Sequence, residues 1–79
     1  MKARVFVTLK TGVLDPQGAA IGTALGGMGF DGVESVRQGK VFEIDMADVD
    51  RVAAEKQLDA MCKRLLANTV IEDYSVEMV

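Results

Sequence analysis

At 79 residues the chain is one domain, residues 1–79. A domain of this size buries only about 60% of the surface its unfolded chain exposes, so its core is marginal and gains from partners. A hydrophobic content of 49% excludes a disordered chain, the lone Cys62 excludes an internal disulfide, and no run approaches the ~20 apolar residues of a membrane helix. Twelve acidic residues against nine basic ones, with 5% aromatics, argue against nucleic acid as a partner and offer no basic run to an anionic membrane.

Met1-Lys2-Ala3-Arg4 leads straight into a strand pattern with no signal-peptide pattern, so a cytoplasmic protein is expected. From Lys2 to Lys10 the residues alternate. Ala3, Val5, Val7 and Leu9 share one face; Lys2, Arg4, Phe6, Thr8 and Lys10 share the other. A period of two predicts a half-buried strand, ended by Gly12.

Asp15-Pro16 predicts a helix start, because an Asp side chain accepts from the free N–H groups of the first turn and Pro at the first helical position gives up no needed donor. Ala20, Ile21, Ala24, Leu25 and Met28 form a helical stripe, and Gly29 fits the stop. Gly18, Gly22 and Gly26 recur every four residues inside this helix, each at a cost of about 1 kcal/mol relative to Ala. They predict a weak helix held by tertiary packing, and they also line a groove into which another backbone fits.

Val33 to Arg37 and Lys40 to Met46 read as two strands joined in a tight hairpin at Gln38-Gly39, with Gly39 supplying a positive φ. Phe42, Ile44 and Met46 share one face of the second strand; Val41, Glu43 and Asp45 share the other. Asp48 or Asp50 caps a second helix whose apolar stripe is Ala54, Leu58, Met61, Cys62 and Leu65, with Glu55, Lys56, Asp59 and Lys63 on the wet side. Asn68 is its stop. The final segment alternates again, with Tyr74, Val76 and Met78 on one face. The order strand, helix, strand, strand, helix, strand predicts an α+β, ferredoxin-like βαββαβ fold, two helices covering one face of a four-stranded antiparallel sheet. Its open face would show Arg4, Phe6, Thr8, Val41, Glu43 and Val79, which makes that face the expected site of self-association.

Catalytic groups are scarce. Without histidine there is no Ser-His or Cys-His couple and no imidazole metal ligand, and one cysteine builds no zinc site. Cys62 lies on an apolar stripe and reads as a small core hydrophobe. Asp45, Asp48 and Asp50 sit at a strand-to-helix junction, where acids cap helices; a carboxylate magnesium site is the weaker reading. Gly27-Met28-Gly29-Phe30-Asp31-Gly32 has the letters of a dinucleotide fingerprint in the wrong context, since a helix precedes it and a strand follows. Lys10, Arg37 and Lys40 lie near strand ends and read as surface charge or as contacts for an anionic partner. No catalytic, cofactor-binding or metal-binding residue is therefore assigned to this chain.

Several segments carry a resemblance. Val7-Thr8-Leu9-Lys10, Gly12-Val13-Leu14-Asp15-Pro16-Gln17-Gly18, Gly29-Phe30-Asp31-Gly32-Val33, Val36-Arg37-Gln38-Gly39-Lys40, Met61-Cys62-Lys63-Arg64-Leu65-Leu66-Ala67-Asn68 and Val70-Ile71-Glu72-Asp73-Tyr74 follow one another in order and spacing. Together they resemble the PurS family, the small subunit of the multi-subunit formylglycinamidine ribonucleotide (FGAM) synthase of purine biosynthesis. Thr69 departs from the usual Pro after Asn, and Gly22 and Gly26 are poorer helix formers than expected there.

The resemblance implies a non-catalytic subunit that joins a synthetase subunit to a glutaminase subunit and helps enclose the path of ammonia. In such a complex the glutaminase releases ammonia from glutamine, and the synthetase uses ATP and Mg2+ to activate the formamide oxygen. This chain itself would bind no cofactor and would form a homodimer or tetramer. Two other readings compete: a βαββαβ regulatory domain binding a small ligand such as an amino acid, and a free-standing enzyme such as a small phosphatase, for which Arg37 and Gly39 are the poor best candidates.

Overall fold

The computed structural model describes residues 1–79. Three strands, β1 (Lys2–Leu9), β2 (Gly39–Asp45) and β3 (Glu72–Met78), and two helices, α1 (Pro16–Gly27) and α2 (Arg51–Met61), occur in the order β1-α1-β2-α2-β3. The sheet is antiparallel with β1 in the centre, order β2-β1-β3. Ala3, Val5 and Val7 on one face of β1 are fully buried beneath Leu58 and Cys62 of the second helical segment, with Phe42, Ile44, Tyr74, Val76 and Met78 half-buried around them. The alternation read from the sequence therefore gives the correct inward face on all three strands.

The four-stranded expectation is corrected: the chain's own sheet has three strands. Val33–Arg37 forms no strand and Gln38-Gly39 no hairpin. The backbone of this stretch is claimed elsewhere. Asp15 Oδ2 accepts the Gln38 N–H at 2.6 Å, and Val36 lies against Gly18 and Gly22 of α1. Gly39 is the first residue of β2, not a turn residue. A Cβ there would come 2.7 Å from the Val7 carbonyl, so close approach to β1 explains the glycine. The one positive φ belongs to Gly29, at +96°.

Only α2 covers the sheet. Asp15 caps α1 as expected, accepting the Gly18 N–H at 2.9 Å, and α1 closes with a Schellman pair, Phe30 N–H to Leu25 O and Gly29 N–H to Gly26 O. The helix then points away from the body. Its stripe is a second correction: Ala20, Ile21, Ala24 and Met28 are exposed and Leu25 half-buried, because nothing in the chain packs on them. The molecule measures 48 × 25 × 14 Å, with a radius of gyration of 15.9 Å where a compact chain of this length has about 12 Å.

A third correction concerns α2. Asp50 caps it, accepting from the Ala53 N–H. Ala54, Leu58 and Cys62 are buried as expected, yet Leu65 is 84% exposed. Residues Cys62–Leu66 form a π-helical turn, closed by the Ala67 N–H on the Cys62 carbonyl at 3.0 Å. The wider turn inserts about one residue, so Leu66 rather than Leu65 packs toward the core. Asn68 ends the segment, its carbonyl accepting from Ile71 and Glu72 and its side chain from Val70.

Candidate interaction surface

Two surfaces compete as the working face. The first is the open face of the sheet. Cross-strand registry sets Arg4 beside Glu43 and Glu77, and Phe6 beside Val41 and Ser75, while the Val79 N–H donates to the Lys2 carbonyl. All six residues expected there, Arg4, Phe6, Thr8, Val41, Glu43 and Val79, share this face. Its charges are internally paired, Lys2 with Glu43 at 3.3 Å and Arg4 with Glu77 at 3.6 Å. Exposed pairs of this kind contribute little to stability. They leave a largely paired surface with Phe6 at its centre and Asp45 as an exposed carboxylate without an ion-pair partner.

The second surface is an arm, which sequence reasoning did not anticipate. Helix α1 runs outward for 12 residues, about 18 Å, turns at Met28–Gly32, and the chain returns extended along it through Val33–Arg37. Of the three glycines expected to line a groove for another backbone, only Gly18 meets the returning backbone. A Cβ on Gly18 would come 2.4 Å from the Val36 carbonyl, and one on Gly22 would meet the Val36 side chain at 3.6 Å. Gly26 faces open space. Ile21, Met28, Phe30 and Val33 are exposed along the arm, the last three near its tip. A helix this short, with three internal glycines, is not stable in isolation. The only signals for the arm were negative ones: a weak amphipathic stripe and too many glycines for a core helix.

The arm joins the body at a root built from charged groups. Asp15 is 6% exposed and is shared between the Gly18 and Gln38 amides. Those amides, Gln38 foremost, together with the neighbouring Arg37 guanidinium, hold its carboxyl below the usual range. Arg37 Nη2 donates to the Lys10 and Val13 carbonyls at 3.1 and 2.8 Å. Of the three basic residues singled out near strand ends, Arg37 is thus spent on backbone carbonyls, Lys10 meets Asp73 at 3.6 Å, and Lys40 meets Glu72 at 3.8 Å.

Three further polar side chains, Asp48, Asp59 and Tyr74, are engaged within the chain. Asp48 takes the Met1 ammonium at 2.9 Å, and that hydrogen bond lowers its pKa. On the far side of the body the Tyr74 hydroxyl donates to Asp59 Oδ1 at 2.5 Å while Lys63 approaches Asp59 Oδ2 at 2.9 Å. This clip ties α2 to β3; it depresses the Asp59 carboxyl and raises both Tyr74 and Lys63. Asp59, placed on the wet side by its spacing, is therefore half-buried and structural. Cys62 is fully buried, and desolvation raises its thiol, so it packs and does not react.

A family model described as phosphoribosylformylglycinamidine (FGAM) synthase, PurS, matches residues 2–79. The chain belongs to the PurS family. It is 49% identical over 75 residues to the PurS subunit of phosphoribosylformylglycinamidine synthase from Synechocystis sp., covering 95% of this chain and 75% of that one. It is 47% identical over 77 residues to the PurS subunit of Bacillus subtilis, covering 98% of this chain and 90% of that one. Solved PurS structures superpose on it: that of B. subtilis with a TM-score of 0.85 at 47% identity, over 96% of this chain and 94% of the other, and that of Thermotoga maritima with a TM-score of 0.91 at 27% identity, over 99% and 90%. The projecting arm is thus part of a PurS-like chain path and no accident of one sequence. None of the structure's helices is long and apolar enough to cross a membrane.

Proposed function

We propose that this chain is the non-catalytic small subunit of an FGAM synthase in purine biosynthesis, coupling a synthetase subunit to a glutaminase subunit. ATP and glutamine are then consumed, and Mg2+ used, by the complex, and this chain supplies contact surface. The observation that carries the reading is the arm: an exposed apolar helix projecting from the body, in a chain that buries only nine of its residues. An element that packs on nothing of its own is built to pack on something else.

The same geometry supports self-association. The strand order β2-β1-β3 is that of a ferredoxin-like sheet lacking only the strand expected at Val33–Arg37, whose place is the unpaired edge of β2. The Met46 N–H bonds inward to Met1, so the alternation of the ladder turns the backbone groups of Val41, Glu43 and Asp45 outward. The returning limb of a second copy's arm would supply the missing strand there. Its α1 would cover the half-buried Phe42 and Ile44. The ferredoxin-like layer would then be completed between copies, as in domain swapping.

Light scattering after size exclusion tests both statements, first on the chain alone and then on a mixture with the cognate glutaminase and synthetase subunits, glutamine and Mg-ADP. The expected outcome is a dimer or tetramer alone, and one large species in the mixture whose glutamine-dependent activity requires this chain. A lone monomer peak untouched by either subunit would overturn the reading.

A further inference from the structure

The arm's direction is decided at one place. Helix α1 makes no substantial contact with the sheet or with α2. Its angle to the body therefore rests on the outgoing residues Lys10–Gly18 and the returning residues Val36–Gly39, where the two limbs cross. Three ties meet there. Asp15 accepts from Gly18 on the outgoing limb and from Gln38 on the returning limb, so one buried carboxylate joins both. Arg37, on the returning limb, donates to Lys10 and Val13 on the outgoing one, 27 and 24 residues away in sequence. Gly18 lets the Val36 carbonyl approach to where a Cβ would sit.

We propose that Asp15 and Arg37 are positioning residues: a reciprocal clip that fixes the arm's angle and so presents its apolar face ready for docking. This rests on the reading of the arm as the docking element. The arm acts as a lever on its root. Over a helix about 18 Å long, an error of about 10° at the root moves the tip by about 3 Å, beyond what a packed interface tolerates. A free arm would also lose more conformational freedom on docking than a fixed one, which weakens association. An element destined only to be flexible would have no use for a buried carboxylate satisfied from both limbs.

The test separates the two levels. Backbone amide order parameters and residual dipolar couplings are measured on the isotope-labelled full chain, and the self-association constant by sedimentation equilibrium. In the wild type, α1 and the sheet should share one alignment frame with comparably high order. Asp15→Asn keeps one acceptor and loses the charge; Arg37→Met removes the donors. Each should scale down the α1 couplings relative to those of the sheet and weaken association roughly tenfold, as the loss of preorganisation predicts. Leu58→Val, a core change, should lower the melting temperature while leaving the arm in the shared frame, so that a loss of alignment in the clip variants is not a by-product of lower stability. If the wild type is monomeric alone and with the synthase subunits, the docking reading fails whatever the clip does. If the wild type assembles but its α1 amides are disordered relative to the sheet, or both variants keep a shared frame and an unchanged constant, the clip is wrong. Wild-type order parameters measured on the monomer, at concentrations below its dissociation constant where no second copy holds α1, decide the matter even where a variant does not fold.

Discussion

The body and the arm are held together by different physics. In the body, Ala3, Val5, Val7, Leu58 and Cys62 disappear from solvent completely, and the sheet register follows from that burial. In the arm almost nothing apolar is buried; hydrogen bonds at the root and the close approach at Gly18 carry the geometry. Hydrophobic burial stabilises a fold on its own, whereas a hydrogen-bonded root aims an element without stabilising it much. The body is therefore the folding unit, and the arm depends on what it meets.

The largest contrast should come from truncating one apolar side chain in each region. Leu58→Ala opens a cavity in a fully buried site and should cost about 2–5 kcal/mol, a large part of the 5–15 kcal/mol available to a small domain. Ile21→Ala, at a site 41% exposed on the arm, should change the free chain's stability by less than about 0.5 kcal/mol. Urea unfolding of both variants, alongside their sedimentation, checks this. An Ile21→Ala variant that associates normally would remove the arm from the interface.

Two glycine substitutions sharpen the comparison within the arm. Gly18→Ala places a methyl 2.4 Å from the Val36 carbonyl and 2.6 Å from the Asp15 carboxylate, so one limb must move and the root should open. Gly26→Ala meets nothing within 4 Å and replaces a poor helix former, gaining up to about 1 kcal/mol of helix stability. Opposite signs in thermal melts are expected. Equal effects would mean that the arm's glycines matter only through chain entropy.

These two regions also differed in how far the sequence disclosed them. Period-two alternation set the inward face of each strand, and Asp15-Pro16 and the choice of Asp48 or Asp50 marked both helix starts, because these are local rules enforced by the chain itself. Val33–Arg37 misled for the opposite reason. Its residues suit a strand, but a strand needs a neighbour, and Asp15 together with the close approach at Gly18 had already captured its backbone. The exposed stripe of α1 likewise looks amphipathic in sequence whether it covers its own sheet or another. The six open-face residues were legible because registry alone brings them together, while the role of that face depends on partners outside the chain.

Acid and alkali should act on the two regions separately. Asp15 and Asp59 both sit below their ordinary value of 3.8. A depressed carboxyl contributes stability that is full above the unfolded value and declines as the pH falls below it toward the folded value. Both the root and the Asp59 clip should therefore loosen below about pH 4. Alkali acts on the body, through the clip and the buried Cys62 thiol, and not on the root. Tyr74 and Lys63 are raised from 10.0 and 10.5, so their contribution is present below those values and is lost as the pH rises through the folded ones. Tyr74→Phe should reduce that alkaline sensitivity of α2 to the part that Lys63 and Cys62 contribute and leave the arm's amide shifts unchanged across the titration. Movement of the arm at high pH would show that the two regions are coupled through β1.

The smallest effect tests the register of the π-helical turn. If Cys62–Leu66 were an ordinary helix, Leu65 would continue the stripe of Leu58 and Cys62, and a polar residue there would be costly. With the extra residue accommodated in the π turn, Leu65 stands in solvent and Leu66 packs on the core. Leu65→Ser should therefore change stability by less than about 0.5 kcal/mol, while Leu66→Ser, which trades packed apolar surface for a hydroxyl, should cost clearly more. Urea midpoints of the two variants, measured side by side, report the sign. Because both leucines lie on the body, neither variant should alter the alignment of α1. A loss of synthase assembly in Leu65→Ser without a loss of stability would add a third contact surface, where the π turn presents that side chain to a partner subunit.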